Sequence, residues 1–248
     1  MNEAHPYSAR DAPLQSGVMR KQIAVLASGG GSNLQSIVQH LASLGADRAA
    51  DVVLVASDRA DAGALERGRT HGMATVAMDR DERSSGMLSL LTRHAVDLVV
   101  LAGYLRFVPA EVTRSFRGRV VNIHPALLPA FGGPGMYGLR VHEVVIARGA
   151  RVSGATVHFV DEEYDHGPII AQWPVPVFPH DSASSLAQRV LEVEHALYPR
   201  VVQQLAAGVI SLGGDGRVHG APAHLAPTHF ALRADPGSAV EGIRAVLG

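Results

Sequence analysis

Asn122-Ile123-His124-Pro125 closes a run of apolar residues, with two polar side chains alternating around an apolar one. Residues two apart on a strand project from the same face, so Asn122 and His124 point together while Ile123 enters a core. Pro125 restricts His124 to an extended conformation, which carries that geometry to the strand tip. An amide donor beside an imidazole suits a developing oxyanion and a nearby proton transfer, though the same pair also serves as an ordinary strand end. A second cluster, Asp161-Glu162-Glu163-Tyr164-Asp165-His166-Gly167-Pro168, crowds carboxylates into one short stretch. Such charges are commonly solvated turn residues. One Asp carried next to His124, however, would orient the imidazole and bias its proton affinity. His158 and His166 lie close in sequence and, with Asp165, raise the question of a metal site. No HxxxH helical pair or HxH cluster accompanies them, so no metal is expected.

A different chemistry is suggested by Ser28-Gly29-Gly30-Gly31-Ser32-Asn33. Glycines let the backbone take positive φ and bring amide N–H groups close to a ligand. A helix N-terminus behind them adds partial positive charge, which makes an anion such as phosphate the natural guest. Position 34 is Leu where a dinucleotide fingerprint needs its third glycine, and no GK[ST] follows as in a P-loop. A phosphate monoester fits better than a dinucleotide; a tight strand-to-helix turn is the plain alternative.

The elements that must position these groups read as an alternating series. Apolar runs at 22–27, 51–57, 74–78, 97–102 and 119–123 predict strands, and helical patterns at 34–44, 62–71 and 83–94 separate them, with a short helix after Pro109. That alternation implies an α/β, Rossmann-like and mostly parallel sheet with helices on both faces. After His124 comes a Gly- and Pro-rich loop over 125–138 and a helix near 140–148. Residues 152–160 and 169–177 then read as an antiparallel pair at the sheet edge. A long helix spans 182–207, capped by Asp181 or Ser182. The last forty residues suggest a weak hairpin and a short helix from Ser238. Residues 20–213 are thus expected as one domain and 214–248 as a C-terminal extension. The first nineteen are expected to be a disordered tail, or the product of a start codon placed upstream of Met19.

Composition sets the outer limits. Lys plus Arg number 22 against 23 Asp plus Glu, so no overall basic field draws nucleic acid, and no cysteine is present for disulfides, thiolate nucleophiles or cysteine metal sites. No apolar run is long enough to span a bilayer, and the N-terminus lacks the apolar core of a secretory signal. The expectation is a soluble cytoplasmic protein, monomer or homodimer, acting on small molecules.

SGGGSN, LAGYLR at 101–106, NIHPALLP at 122–129, SGATVHFVDEEYDHGPII at 153–170 and EHALYP at 194–199 together resemble the folate-dependent formyltransferase family. The resemblance covers about residues 22–213. NIHPALLP followed by the DxGP turn is specific to the family, and SGxGSN narrows it to the branch that formylates glycinamide ribonucleotide in purine biosynthesis. It implies 10-formyltetrahydrofolate as co-substrate donor and direct attack by the acceptor amine, without a covalent enzyme intermediate. Asn122 and His124 would stabilise the tetrahedral oxyanion, and Asp165 would hold His124 and help relay the proton. Gly31, Ser32 and Asn33 would bind the phosphate, with Arg83 as a further phosphate ligand, and Glu194 would hold the ribose hydroxyls. Tyr104, Leu105, Arg106, Phe107 and Val108 would form the pterin cleft with Val160 and Asp161. It also implies a cis peptide at Leu128-Pro129. The sequence departs from the family pattern in AFGGPGMYGLRVH at 130–142, where extra glycines enlarge a flap; His142 keeps the family's histidine while Arg140 replaces its usual neighbour.

Within the family, a formyltetrahydrofolate deformylase would carry an added regulatory domain and need no phosphate loop. A methionyl-tRNA formyltransferase would need a basic C-terminal domain, and a sugar-nucleotide formyltransferase would not use SGGGSN in this way. A catalytically idle nucleotide-binding module is the reading from another class; Asn122, His124 and Asp165 argue against it.

Overall fold

A computed structural model describes residues 19–220. Its sheet has seven strands in the order β3-β2-β1-β4-β5-β6-β7. The strands are β1 (Lys21–Leu26), β2 (Ala50–Ser57), β3 (Ala74–Ala77), β4 (Leu98–Leu101), β5 (Val120–His124), β6 (Val152–Phe159) and β7 (Ile169–Pro176). The first five are parallel, whereas β6 runs antiparallel to both β5 and β7. This is the expected mostly parallel sheet with an antiparallel edge. Strand order reverses between β1 and β4, so the connections leaving those two strands diverge and open a crevice at their carboxyl ends.

The helices are α1 (Ser32–Ser43), α2 (Gly63–Thr70), α3 (Met87–Arg93), α4 (Ala110–Ser115), α5 (Leu139–Ala147) and α6 (Ala183–Ala206). Period-two alternation along β1 divides the core into two layers. Ile23, Val25 and Ala27 pack with Ile37 of α1, Val141 of α5 and Val190 of α6. Ala24 and Leu26 pack with Met87 and Leu90 of α3 and Val112 of α4. Both faces are therefore covered, which explains why the parallel strands read as unbroken apolar runs. Tyr198, fully buried on α6, donates its hydroxyl toward the Leu101 and Val121 carbonyls at 2.9 and 3.1 Å, tying the long helix to the ends of β4 and β5.

Ser182 caps α6 through a reciprocal bond with Ser185, a contact worth about 1 kcal/mol. Asp181, the other candidate cap, instead accepts from the Phe178 N–H and pairs with the buried Arg189 at 2.8 Å. The helix expected from residue 83 begins only at Met87. Asp79 Oδ1 accepts from the Glu82 N–H while Glu82 Oε2 accepts from the Asp79 N–H, a reciprocal pair that starts a series of turns. The Gly86 N–H then bonds to the Asp81 carbonyl and the Ser84 hydroxyl to the Arg80 and Asp81 carbonyls before α3 begins. The hairpin expected after α6 is β8 (Ser211–Leu212) with β9 (Val218–His219). The expectations for residues 1–18 and for a helix from Ser238 lie outside the described residues.

Candidate active site

One cleft of about 500 Å³ runs across the carboxyl ends of the central strands, with Asn122, His124, His158 and Asp165 in its wall and Asn33 and Glu194 among the residues that line it. Asn122 and His124 come from the last residues of β5, as the alternation required. β6 lies beside them in register, Asn122 opposite His158 and His124 opposite Thr156. The acidic turn between β6 and β7 then carries Asp165 back over the strand tip.

His158 settles the orientation of Asn122. Its Nδ1 sits 2.8 Å from the Phe159 carbonyl, which only accepts, so Nδ1 carries the hydrogen. Burial lowers its pKa and keeps the ring neutral, against weaker opposing pulls from that carbonyl and from Asp165. Nε2 is then a lone pair, and it lies 3.1 Å from Asn122 Nδ2. The amide must present its NH₂ there, and its second N–H stays available to another acceptor. The sequence raises His158 only as a candidate metal ligand; its position opposite Asn122 follows from strand register, which no local motif reveals. Among the described residues no three His, Cys, Asp or Glu side chains converge as a metal site.

His124 is constrained by the same logic with the nitrogens exchanged. Nε2 lies 2.8 Å from the Phe131 carbonyl, and Nδ1 lies 3.5 Å from Asp165 Oδ2. Burial lowers its pKa, while Asp165 and the Phe131 carbonyl pull it back up. His142 of α5 lines the same cleft, its Nδ1 buried without a partner. Burial and then the nearby His124 push its pKa down to about 4, so it enters neutral chemistry as a neutral ring.

At the far end, Gly31 takes φ 75° before α1, and a Cβ there would lie 2.7 Å from Ala64 Cα. Only glycine lets α2 pack this close to the loop. Gln35 N–H is bonded to the Gly31 carbonyl, so the N–H groups of Ser32, Asn33 and Leu34 precede the helical ladder and are free for an anion. Arg67 of α2 donates from Nε to the Gly30 carbonyl at 2.8 Å, placing a cation at the loop's rim that sequence spacing did not signal. Arg83 lies in the turn before α3 and donates to the Asp58 carbonyl at 3.0 Å.

The expected pterin residues, 104–108 with Val160 and Asp161, all line the cleft. Ser28 anchors them: its Oγ accepts from the Leu105 N–H at 2.9 Å, and its own N–H donates to the Gly103 carbonyl. Arg106 pairs with the buried Asp58 at 3.0 Å, and burial pushes the Tyr104 phenol up to about 12. Phe107 meets Tyr164 edge-on with ring centroids 5.1 Å apart at the exposed rim. The Leu128-Pro129 peptide is cis, as the family resemblance implied.

Glu194 is buried and accepts from Asn33 Nδ2 at 2.7 Å, while Asn33 Oδ1 has no partner. Burial raises its pKa from 4.5 to about 7, outweighing the Asn33 bond. Across that window the folded protein retains a proton that the unfolded chain has released, so this group's effect is to reduce stability as pH rises. Glu194→Gln removes the penalty. Urea unfolding should show the variant gaining up to on the order of 3 kcal/mol over the parent above neutrality and nothing in acid. Equal stability differences at both ends would contradict a buried ionised Glu194.

A sheet switch point with an amide, an imidazole and a carboxylate gathered in one cleft, beside a glycine-rich loop at the start of α1, is the arrangement of a group-transfer enzyme. Residues 21–202 match the formyl transferase family, and the chain belongs to it. It is 44% identical over 219 residues to the chloroplastic phosphoribosylglycinamide formyltransferase of Vigna unguiculata, covering 86% of this chain and 70% of that one. Its fold is similar to glycinamide ribonucleotide transformylase 1 from Symbiobacterium toebii, with TM-score 0.73 and 38% identity over 81% of this chain and 93% of that one. A formyltetrahydrofolate deformylase from Pseudomonas syringae also superposes, with TM-score 0.71 and 26% identity over 81% of this chain and 66% of that one.

Proposed function

We propose that the protein transfers the formyl group of 10-formyltetrahydrofolate to the amine of 5′-phosphoribosylglycinamide in purine biosynthesis. The observation that carries this reading is that Asn122, His124 and Asp165 share one cleft with Asn33 and Glu194. The phosphate meets the N–H groups at the start of α1, and the buried Glu194 carboxylate accepts from the ribose hydroxyls. That placement aims the glycinamide amine along the cleft toward the β5 tip. The donor enters past residues 104–108, with its formyl carbon beside Asn122.

The amine attacks the formyl carbon, and the carbonyl electrons move onto oxygen. The free N–H of Asn122 donates to this oxyanion, and an imidazolium at His124 adds positive charge beside it. Collapse breaks the bond from carbon to the folate N10. The amine loses one proton and N10 gains one, and Asp165 with His124 carries that proton between them. The chain has no cysteine for a thioester, and the direct route needs none.

A deformylase would direct water at the same carbon on the same fold. It has no use for an anion loop or for Glu194 in the cleft. Mixing the protein with the folate donor and following tetrahydrofolate release, with and without glycinamide ribonucleotide, separates the two. Release is expected only with the acceptor. Release at the same rate without it identifies a deformylase, and no release under either condition identifies a binding module.

No helix among the described residues is long and apolar enough to cross a membrane. All groups invoked come from one chain, which fits a monomer or a homodimer. The reading places the reaction in the cytoplasm, although the Vigna relative is named as chloroplastic.

A further inference from the structure

Residues 131–133 touch both halves of the His124–Asp165 pair through backbone alone. The Phe131 carbonyl accepts from His124 Nε2 at 2.8 Å. The Gly133 N–H donates at 2.9 Å to Asp165 Oδ2, the same oxygen that lies 3.5 Å from His124 Nδ1. Between them, a Cβ on Gly132 would lie 2.5 Å from Leu128 Cδ2 and 3.1 Å from Asp165 Cβ. Phe131 and Asp165 are both held at left-handed φ, 59° and 55°, a conformation that costs a non-glycine residue on the order of 1 kcal/mol or more. Such residues persist where surrounding structure dictates them.

That surrounding structure is present. The Leu128 N–H donates to Thr156 Oγ1, the Thr156 hydroxyl donates to the Ala126 carbonyl, and Gln172 Nε2 donates to the Leu128 carbonyl. The start of the loop is thereby fixed to β6 and β7. Three residues later the chain reaches His124 and Asp165.

We propose that residues 131–133 form a backbone clamp that positions the proton-handling pair, and that Gly132 is a positioning residue because a side chain there drives Leu128 aside and presses on the Cβ of Asp165. A carbonyl only accepts, so the clamp keeps a hydrogen on His124 Nε2 whether the ring is neutral or charged. Nδ1, facing Asp165, is then the single nitrogen able to take or release the proton. The clamp rests on the formyl-transfer reading for its purpose, not for its geometry.

Two measurements test it. Long-range ¹H–¹⁵N correlation spectra of the resting protein should show neutral His124 as the Nε2–H tautomer, and an Nδ1–H tautomer would overturn the clamp. Gly132→Ala should lower kcat on the order of 10²-fold, with KM for either substrate changed only a few-fold. Combined with Asp165→Asn it should add little further loss, because both changes act at one carboxylate. Multiplying losses, or a KM effect equal to the kcat effect, would mean that Gly132 matters only for packing. Should Gly132→Ala fail to fold, the tautomer alone decides. Should the parent fail to formylate the acceptor, the functional reading falls while the tautomer still answers the structural question.

Discussion

Asp165→Asn is expected to lower turnover on the order of 10³-fold while the protein stays folded and binds both substrates nearly as before. The expectation follows from which interactions survive the change. Asn tolerates the left-handed φ of 55° at this position better than most residues, so the turn is kept. Its carbonyl oxygen takes the place of Oδ2 and still accepts from the Gly133 N–H, since the amide NH₂ would face that donor if flipped. What disappears is the negative charge 3.5 Å from His124 Nδ1. Burial already disfavours the charged imidazole, and Asp165 is the foremost influence opposing it. Without it, His124 rarely takes a proton during the reaction, and proton transfer from the amine to N10 loses its carrier. Single-turnover rates should fall in step with kcat, and the thermal midpoint should hold. Turnover within a few-fold of the parent would remove Asp165 from the mechanism.

The β5 pair was legible because a strand has a side-chain period of two. Asn122 and His124 could be assigned to one face from spacing alone, and Pro125 set the tip. The glycine loop was legible for a related reason: a helix start and positive φ are local properties. Asp165 was not of this kind. Its approach to His124 depends on how the turn between β6 and β7 folds back over the tip of β5, and only the family motif singled it out among its acidic neighbours. His158 and the carbonyl of Phe131 depend on register and on a loop path, and neither leaves a compositional trace. The start of α3 was misread for a local reason. The pattern reads as helical from Arg83, whereas the Gly86 N–H bonds to the Asp81 carbonyl and the Ser84 hydroxyl to the Arg80 and Asp81 carbonyls, so the chain turns there and α3 begins at Met87.

The polar side chains around the strand tip also divide into those that touch the reacting atoms and those that fix them. His158 and His124 each have one nitrogen committed to a backbone carbonyl, but on opposite nitrogens: Nδ1 in His158 and Nε2 in His124. His158 thereby becomes an acceptor that orients an amide, while His124 offers its remaining nitrogen to a carboxylate. Two chemically identical rings within one cleft acquire different tasks from the carbonyl each meets.

Asn122→Ala is expected to lower kcat by about 10²–10³-fold, the range found when one preorganised oxyanion donor is removed. One of its N–H bonds is directed toward His158 Nε2 at 3.1 Å, which leaves the other for the formyl oxygen in the proposed mechanism. That oxygen carries little charge in bound donor and much in the tetrahedral state. The loss should therefore fall on kcat, with KM for the folate changed only a few-fold. Asn122→Asp should be slower still. A carboxylate there faces the oxyanion with like charge, and its only way to donate is to be protonated. Raising the pH would then deepen the defect of Asn122→Asp while leaving the relative rate of Asn122→Ala flat, because alanine has nothing to titrate. A pH series on both variants reads this directly, and parallel profiles would show that Asn122 acts by filling space rather than by donating a hydrogen bond.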